Sequence, residues 1–281
     1  MSDGNLCGMT QIPAVQTPSV SLPPLSATVA GPAGGPGVLL AHGATGSVRD
    51  NYGTLIPALT ATGHRVVAPD YPGSGQSPRA AGPLELDALA DAVVAEAVAA
   101  GVETFTMVGF SMGTAVSVRA AARHPERVRG LVLTAGLAKA DTRAQVWLDL
   151  WLRLLDHGDY QGFAQARTLS GLSAERLGAL SPAELAAALD PDPTLPPAGS
   201  AEQAALVKAL DTTADLPGIA VPTLVIATTQ DALLDPAHSR YLAEHIPGAQ
   251  YAEVASGHLP MVERNAEWLA LIGDFLAARG L

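Results

Sequence analysis

Cysteine, lysine and aromatic residues are scarce in this chain. Cys7 is the single cysteine of 281 residues, so no intrachain disulfide can form and no Cys/His cluster has zinc spacing. Lys139 and Lys208 are the only lysines, and 16 basic side chains face 27 acidic ones. The formal charge of −11 argues against nucleic acid or an anionic membrane surface as a partner. No apolar run approaches the ~18 uncharged residues of a membrane-spanning helix. The first 36 residues contain no basic residue, so the positive start of a secretory signal is missing and a cytoplasmic location is expected.

What is present is an apolar fraction of 48 %, enough for a large core in one domain. Residues 1–25 form a proline-rich segment, with Pro13, Pro18, Pro23 and Pro24 blocking a helix and edge strands expected at Ala14–Gln16 and Ser26–Val29. Beyond it, short apolar runs at Val38–Ala41, Arg65–Ala68, Thr104–Val108, Leu131–Thr134 and Thr223–Ala227 alternate with helical patterns at Asn51–Thr62, Leu84–Ala100 and Gly113–His124. Unbroken apolar strands between helices predict a mainly parallel sheet with helices on both faces. After Thr134 the alternation stops, and residues 139–216 read as helical throughout. Ser181-Pro182-Ala183-Glu184 predicts a capped helix start, and Asp190-Pro191-Asp192-Pro193 a stop. The chain therefore divides into a core of 26–138 plus 217–281 and a helical insertion, 139–216.

Gly109-Phe110-Ser111-Met112-Gly113 lies between a strand pattern and a helix pattern. A sharp turn there would expose the Ser111 hydroxyl, and small residues two positions on either side are needed where strand and helix backbones crowd. In this arrangement the acid and then the base follow the serine. Asp231 is the first carboxylate beyond the strand Thr223–Ala227; Asp235, beside Pro236, is the rival, with helix capping as its plainer role. His258, in Gly257-His258-Leu259-Pro260, is the histidine past the last expected strand, Gln250–Val254, and Gly257 would give its loop freedom. His238 and His245 fall on a helix and are expected to face solvent. Ser111 as nucleophile, His258 as base and Asp231 as its orienting partner make a catalytic triad.

His42-Gly43-Ala44-Thr45-Gly46 follows another strand. The backbone amides of Ala44 and Met112 are the expected oxyanion-hole donors, and His42 is expected to organise its loop. The loop matches no phosphate-binding pattern. Asp70-Tyr71-Pro72-Gly73-Ser74-Gly75-Gln76-Ser77 reads as a tight turn with Asp70 bonding backbone groups.

Taken in order, the 42–46 loop, the 70–77 turn, the 109–113 elbow, the stretch His124-Pro125-Glu126-Arg127-Val128-Arg129-Gly130-Leu131, the Asp231 loop and the Gly257-His258 segment resemble the α/β-hydrolase superfamily. The likeness covers about residues 26–281 and points to the cap-bearing esterase, haloperoxidase-like and C–C hydrolase group. It implies an α/β-hydrolase sheet of eight mainly parallel strands, a helical cap at 139–216 and no cofactor; no metal is expected either. Relatives that dehalogenate or open epoxides use an aspartate where this chain has Ser111.

Trp147, Leu150, Trp151 and Leu154 at helical spacing are expected to pack the cap on the sheet. Trp147 or Trp151 would roof a pocket with Thr45 and Leu259, joined by Tyr160, Phe163 and Met261. The expected substrate is a mainly apolar small molecule, an ester, lactone or thioester cleaved through an acyl-serine. The alternatives are C–C cleavage or elimination by the same Ser-His pair, and a ligand-binding protein without turnover. The sequence is compatible with an oligomer and fixes no oligomeric state.

Overall fold

The short apolar runs become strands buried on both faces. A computed structural model describes residues 22–189 and 196–281. The strands are β1 (Ala27–Ala30), β2 (Gly37–Ala41), β3 (Arg65–Pro69), β4 (Phe105–Phe110), β5 (Val128–Thr134), β6 (Thr223–Thr228) and β7 (Gln250–Val254). Among the described residues they make one seven-stranded sheet in the order β1-β3-β2-β4-β5-β6-β7, against the eight expected. Of the two edge strands anticipated, Ser26–Val29 corresponds to β1, which runs antiparallel to β3, and Ala14–Gln16 lies outside the described residues. The other pairings are all parallel.

Side-chain alternation splits the core in two. Leu39, Met107, Leu131 and Leu133 point to one face, where Leu89 of α3 (Leu86–Ala99) and Val116 of α4 (Met112–Arg123) cover them. Val38, Leu40, Val108 and Val132 point to the other, under Tyr52, Leu55 and Trp268. The period of two along each strand and the apolar stripe on each helix meet here, and that burial drives the layering. The Trp268 indole N–H is satisfied inside this core by Thr134 Oγ1 at 3.0 Å.

From β2 the chain moves outward to β3, and from β4 it moves the other way to β5. The sheet order therefore reverses between β2 and β4, which pair directly through Ala41 and Gly109. A crevice opens at the carboxyl ends of strands at such a reversal. Loop 42–46 and Ser111 are the segments that leave those two ends.

The helix expected at Asn51–Thr62 is two helices, α1 (Val48–Tyr52) and α2 (Leu55–Ala61). Pro57 explains the break, because it has no N–H to continue a helix through Gly53 but fits a new first turn. Between β5 and β6 lie α5 (Thr142–Asp156), α6 (Tyr160–Gly171), α7 (Ala174–Gly178), α8 (Pro182–Leu189) and α9 (Ser200–Ala209). The capping pair at the start of α8 forms in both directions: Glu184 N donates to Ser181 Oγ at 3.2 Å and Ser181 N to Glu184 Oε2 at 2.8 Å. The stop expected at 190–193 falls outside the described residues. The rest of the chain adds α10 (Ala237–His245), a short α11 (Pro260–Glu263) and α12 (Asn265–Arg279).

Candidate active site

The turn between β4 and α4 is tight for a reason visible in its glycines. A Cβ on Gly113 would lie 1.8 Å from the Ala41 carbonyl oxygen, and one on Gly109 would lie 2.5 Å from that of Gly113. With both absent, strand and helix close to contact and Ser111 is left at φ +53°, ψ −119°. A non-glycine residue there is strained, and the surroundings hold it in place. Ser111 N donates to Thr134 O at 3.0 Å, and Thr114 Oγ1 donates to Ser111 O at 2.7 Å.

His258 lies across from this hydroxyl. Its Nδ1 donates to Asp231 Oδ2 at 2.7 Å, and its Nε2 accepts from Ser111 Oγ at 2.9 Å. A carboxylate only accepts, so Nδ1 carries the proton and Nε2 is left as the acceptor toward serine. Asp231 is buried and fully occupied: Oδ1 accepts from Leu233 N and Leu234 N, both at 2.9 Å, and Oδ2 also accepts from Thr228 Oγ1 at 3.0 Å. Asp235 instead accepts from Ala237 N at 2.9 Å at the start of α10, with its side chain half exposed. His245 is exposed as anticipated, but His238 is not; it is largely buried, with Nε2 3.3 Å from Asp141 Oδ2.

The two amides expected as donors belong to Met112 and Ala44. Met112 N belongs to the first residue of α4, where helix geometry supplies no acceptor. Ala44 lines the cavity, and among the described residues no acceptor reaches its N–H. The next residue, Thr45, has φ +60° and is held from the insertion: its N–H donates to Gln203 Oε1 of α9 at 2.8 Å. Gln203 is completely buried, and its Nε2 donates to Ser74 Oγ at 2.9 Å. Asn51 Oδ1 accepts from Gly43 N at 2.9 Å. Sequence reasoning missed both amide side chains, because a polar residue on an expected helix reads as solvent-facing.

His42 is buried, donates from Nδ1 to Gly43 O at 2.8 Å and accepts at Nε2 from Tyr71 N at 2.9 Å. Burial pushes its pKa down to about 4, and protonation would also remove the acceptor that Tyr71 N uses. Below pH ~6.5 the unfolded chain takes up a proton here that the folded chain refuses. Stability is therefore lost as pH falls from ~6.5 toward 4, by about 1.4 kcal/mol per pH unit and ~3 kcal/mol in all. Urea unfolding between pH 7 and pH 4 measures it, with His42→Gln as control. The variant's slope should be shallower by one proton, and equal slopes would contradict the assignment.

The cavity beside Ser111 has a volume of about 360 Å³. Thr45, Trp151, Leu259, Tyr160 and Phe163 line it. Trp147 does not; its indole N–H donates to Ala232 O at 3.2 Å, because the inward stripe of α5 runs through Ala144, Leu148 and Trp151. Met261 does not line it either, and packs with Trp268 in the core. The Met112 side chain is likewise a core residue. Gly257 has a different reason from the loop freedom anticipated: a Cβ there would lie 2.4 Å from Ser173 N of the insertion. Glu263 closes that seam, its Oε1 accepting from Ser173 N at 2.9 Å and Gly257 N at 3.1 Å.

A serine hydroxyl, an imidazole oriented by a buried carboxylate and a free amide at a helix start can together attack a carbonyl carbon and stabilise the oxyanion that forms. Comparison with known proteins is consistent with that chemistry. Residues 36–265 match the family model for the alpha/beta hydrolase fold. The chain is 34 % identical over 244 residues to pyrrolizixenacetamide deacetylase of Xenorhabdus hominickii, covering 86 % of this chain and 91 % of that one. It is 31 % identical over 265 residues to a pimeloyl-[acyl-carrier protein] methyl ester esterase of Neisseria meningitidis, covering 85 % and 93 %. Among solved structures, the enol-lactonase of Burkholderia xenovorans superposes with a TM-score of 0.81 at 26 % identity, over 90 % of this chain and 96 % of that one.

Proposed function

This chain belongs to the α/β-hydrolase family, and on that premise we propose that it hydrolyses an ester-like acyl bond of a small molecule through an acyl-Ser111 intermediate. One observation carries the reading: the unbroken line Asp231–His258–Ser111, with hydrogen bonds of 2.7 and 2.9 Å, beside a cavity of about 360 Å³. In this mechanism His258 Nε2 takes the hydroxyl proton as Ser111 Oγ attacks the acyl carbon. Asp231 stabilises the imidazolium, and the amides of Ala44 and Met112 receive the oxyanion. Collapse expels the alcohol or amine with the proton from His258, and a water activated the same way releases the acid. Residues 139–216 act as the cap, with Trp151 and Phe163 as part of the roof. That relatives include a deacetylase and a methyl ester esterase supports acyl transfer with either an amine or an alcohol as leaving group.

Diethyl para-nitrophenyl phosphate tests this directly, because its phosphoryl group stays on an activated serine. One equivalent of nitrophenolate per chain is expected, with the added mass on the peptide that holds Ser111. Release of nitrophenolate without that modification, or with the mass elsewhere, would overturn the acyl-serine mechanism.

A further inference from the structure

Among the described residues, the cavity wall carries one permanent charge. Arg167, on α6, lines it together with Ser111 and His258, and no aspartate or glutamate is among the described residues that do so. Arg167 is partly buried, and a cation held against an apolar wall favours an anionic partner over an unpaired state. The Phe163 ring centroid lies 5.9 Å from the guanidinium carbon, and much of the described cavity lining is small or apolar, Ala164, Leu172 and Val207 among it. Burial pushes the guanidinium below its usual arginine value, and Asp50 offsets this only through space, without a hydrogen bond. Asp50 itself is exposed and engaged with Ser47. The setting is unusual for a chain with 16 basic residues, whose other arginines include many in surface ion pairs such as Arg119 with Asp215 and Arg123 with Asp91.

Resting on the acyl-transfer reading above, we propose that Arg167 is a specificity-determining residue that binds a carboxylate on the substrate, so that the preferred substrates are acidic esters, lactones or amides. The guanidinium fork suits a carboxylate in two-point contact. The apolar residues beside it, Phe163 among them, would strengthen that pair. This changes the expectation of a mainly apolar substrate: much of the described wall is apolar, but the one charge on it selects.

The test compares para-nitrophenyl hemiesters of succinate, glutarate and adipate with the neutral para-nitrophenyl hexanoate, so that no distance is assumed. The wild-type protein should favour its best hemiester over the neutral ester. Arg167→Gln should lower kcat/KM on that hemiester about 30-fold while changing the neutral ester less than about threefold. Arg167→Lys should fall between, since it keeps the charge and loses the fork. Equal effects of Arg167→Gln on both esters, or none on either, would overturn the proposal while leaving acyl transfer intact. If the wild type cleaves none of the esters, the acyl-transfer reading fails. Calorimetric titration of glutarate into Ser111→Ala, with and without Arg167→Gln, then decides the anion site independently of turnover. Binding that weakens about 30-fold in the double variant supports it; absent or unchanged binding refutes it. Thermal unfolding of each variant checks that the fold is kept.

Discussion

Asp231→Asn is expected to lower kcat about ten-thousand-fold with KM nearly unchanged. The hydrogen bonds around this carboxylate say why. Leu233 N and Leu234 N both donate to Oδ1, so the carbonyl oxygen of an asparagine would stay there. Its NH2 group would then face His258 Nδ1, where Oδ2 stands now. Two donors cannot share that contact, and the imidazole would shift its proton to Nε2. The atom that must accept the Ser111 proton would then be protonated already. The geometry of the site would survive while its direction of proton flow was lost. Steady-state kinetics on a para-nitrophenyl ester measures this, with Asp235→Asn as the comparison. Asp235 caps α10, so its variant should keep activity within a few-fold. The reverse result would reassign the acid.

Gly113→Ala is the matching prediction for stability. The new methyl would stand 1.8 Å from the Ala41 carbonyl oxygen and 2.8 Å from that of His42. Both are backbone atoms at the end of a central strand, so no rotamer change relieves the clash; α4 and β2 must separate. The expected cost is about 4 kcal/mol or more, read from urea unfolding. Gly273→Ala is the internal contrast. It sits within α12 with open space around its Cβ position, where alanine should stabilise by up to about 1 kcal/mol. A Gly113→Ala protein as stable as the wild type would show that the elbow does not depend on this contact.

The comparison of sequence with structure divides along physical lines. Strands were legible because both their faces are buried, which leaves unbroken apolar runs such as Val38–Ala41 and Thr223–Ala227. The Ser111 turn was legible because its glycines are demanded by backbone crowding, a local requirement. The phase of an amphipathic helix was less so. Trp147, Leu150, Trp151 and Leu154 do pack on the core as their spacing predicts, but the fully buried stripe of α5 also takes in Ala144 and Leu148, and Trp147 bonds to a loop carbonyl instead of lining the cavity. Tertiary packing chooses between such adjacent stripes. Arg167 and Gln203 were illegible for a related reason. A polar residue on a predicted helix reads as solvent-facing, and only the folded neighbours reveal that one lines the cavity and the other is fully enclosed. Gly257 shows the same gap, since the backbone that needs its missing side chain is 84 residues away in sequence, at Ser173.

The insertion's bonds to the core bear on how such proteins can be recombined. Gln203 supports the Thr45 amide and Ser74, Gly199 N donates to Gly73 O, and Ser173 is tied to the histidine loop through Glu263. Replacing residues 139–216, proposed above as the cap, with the equivalent stretch of another family member would therefore change more than the cavity wall. A hybrid lacking an amide side chain at position 203 would inherit a loosened 42–46 loop along with its new pocket, and a drop in turnover on every substrate would be mistaken for a change in preference.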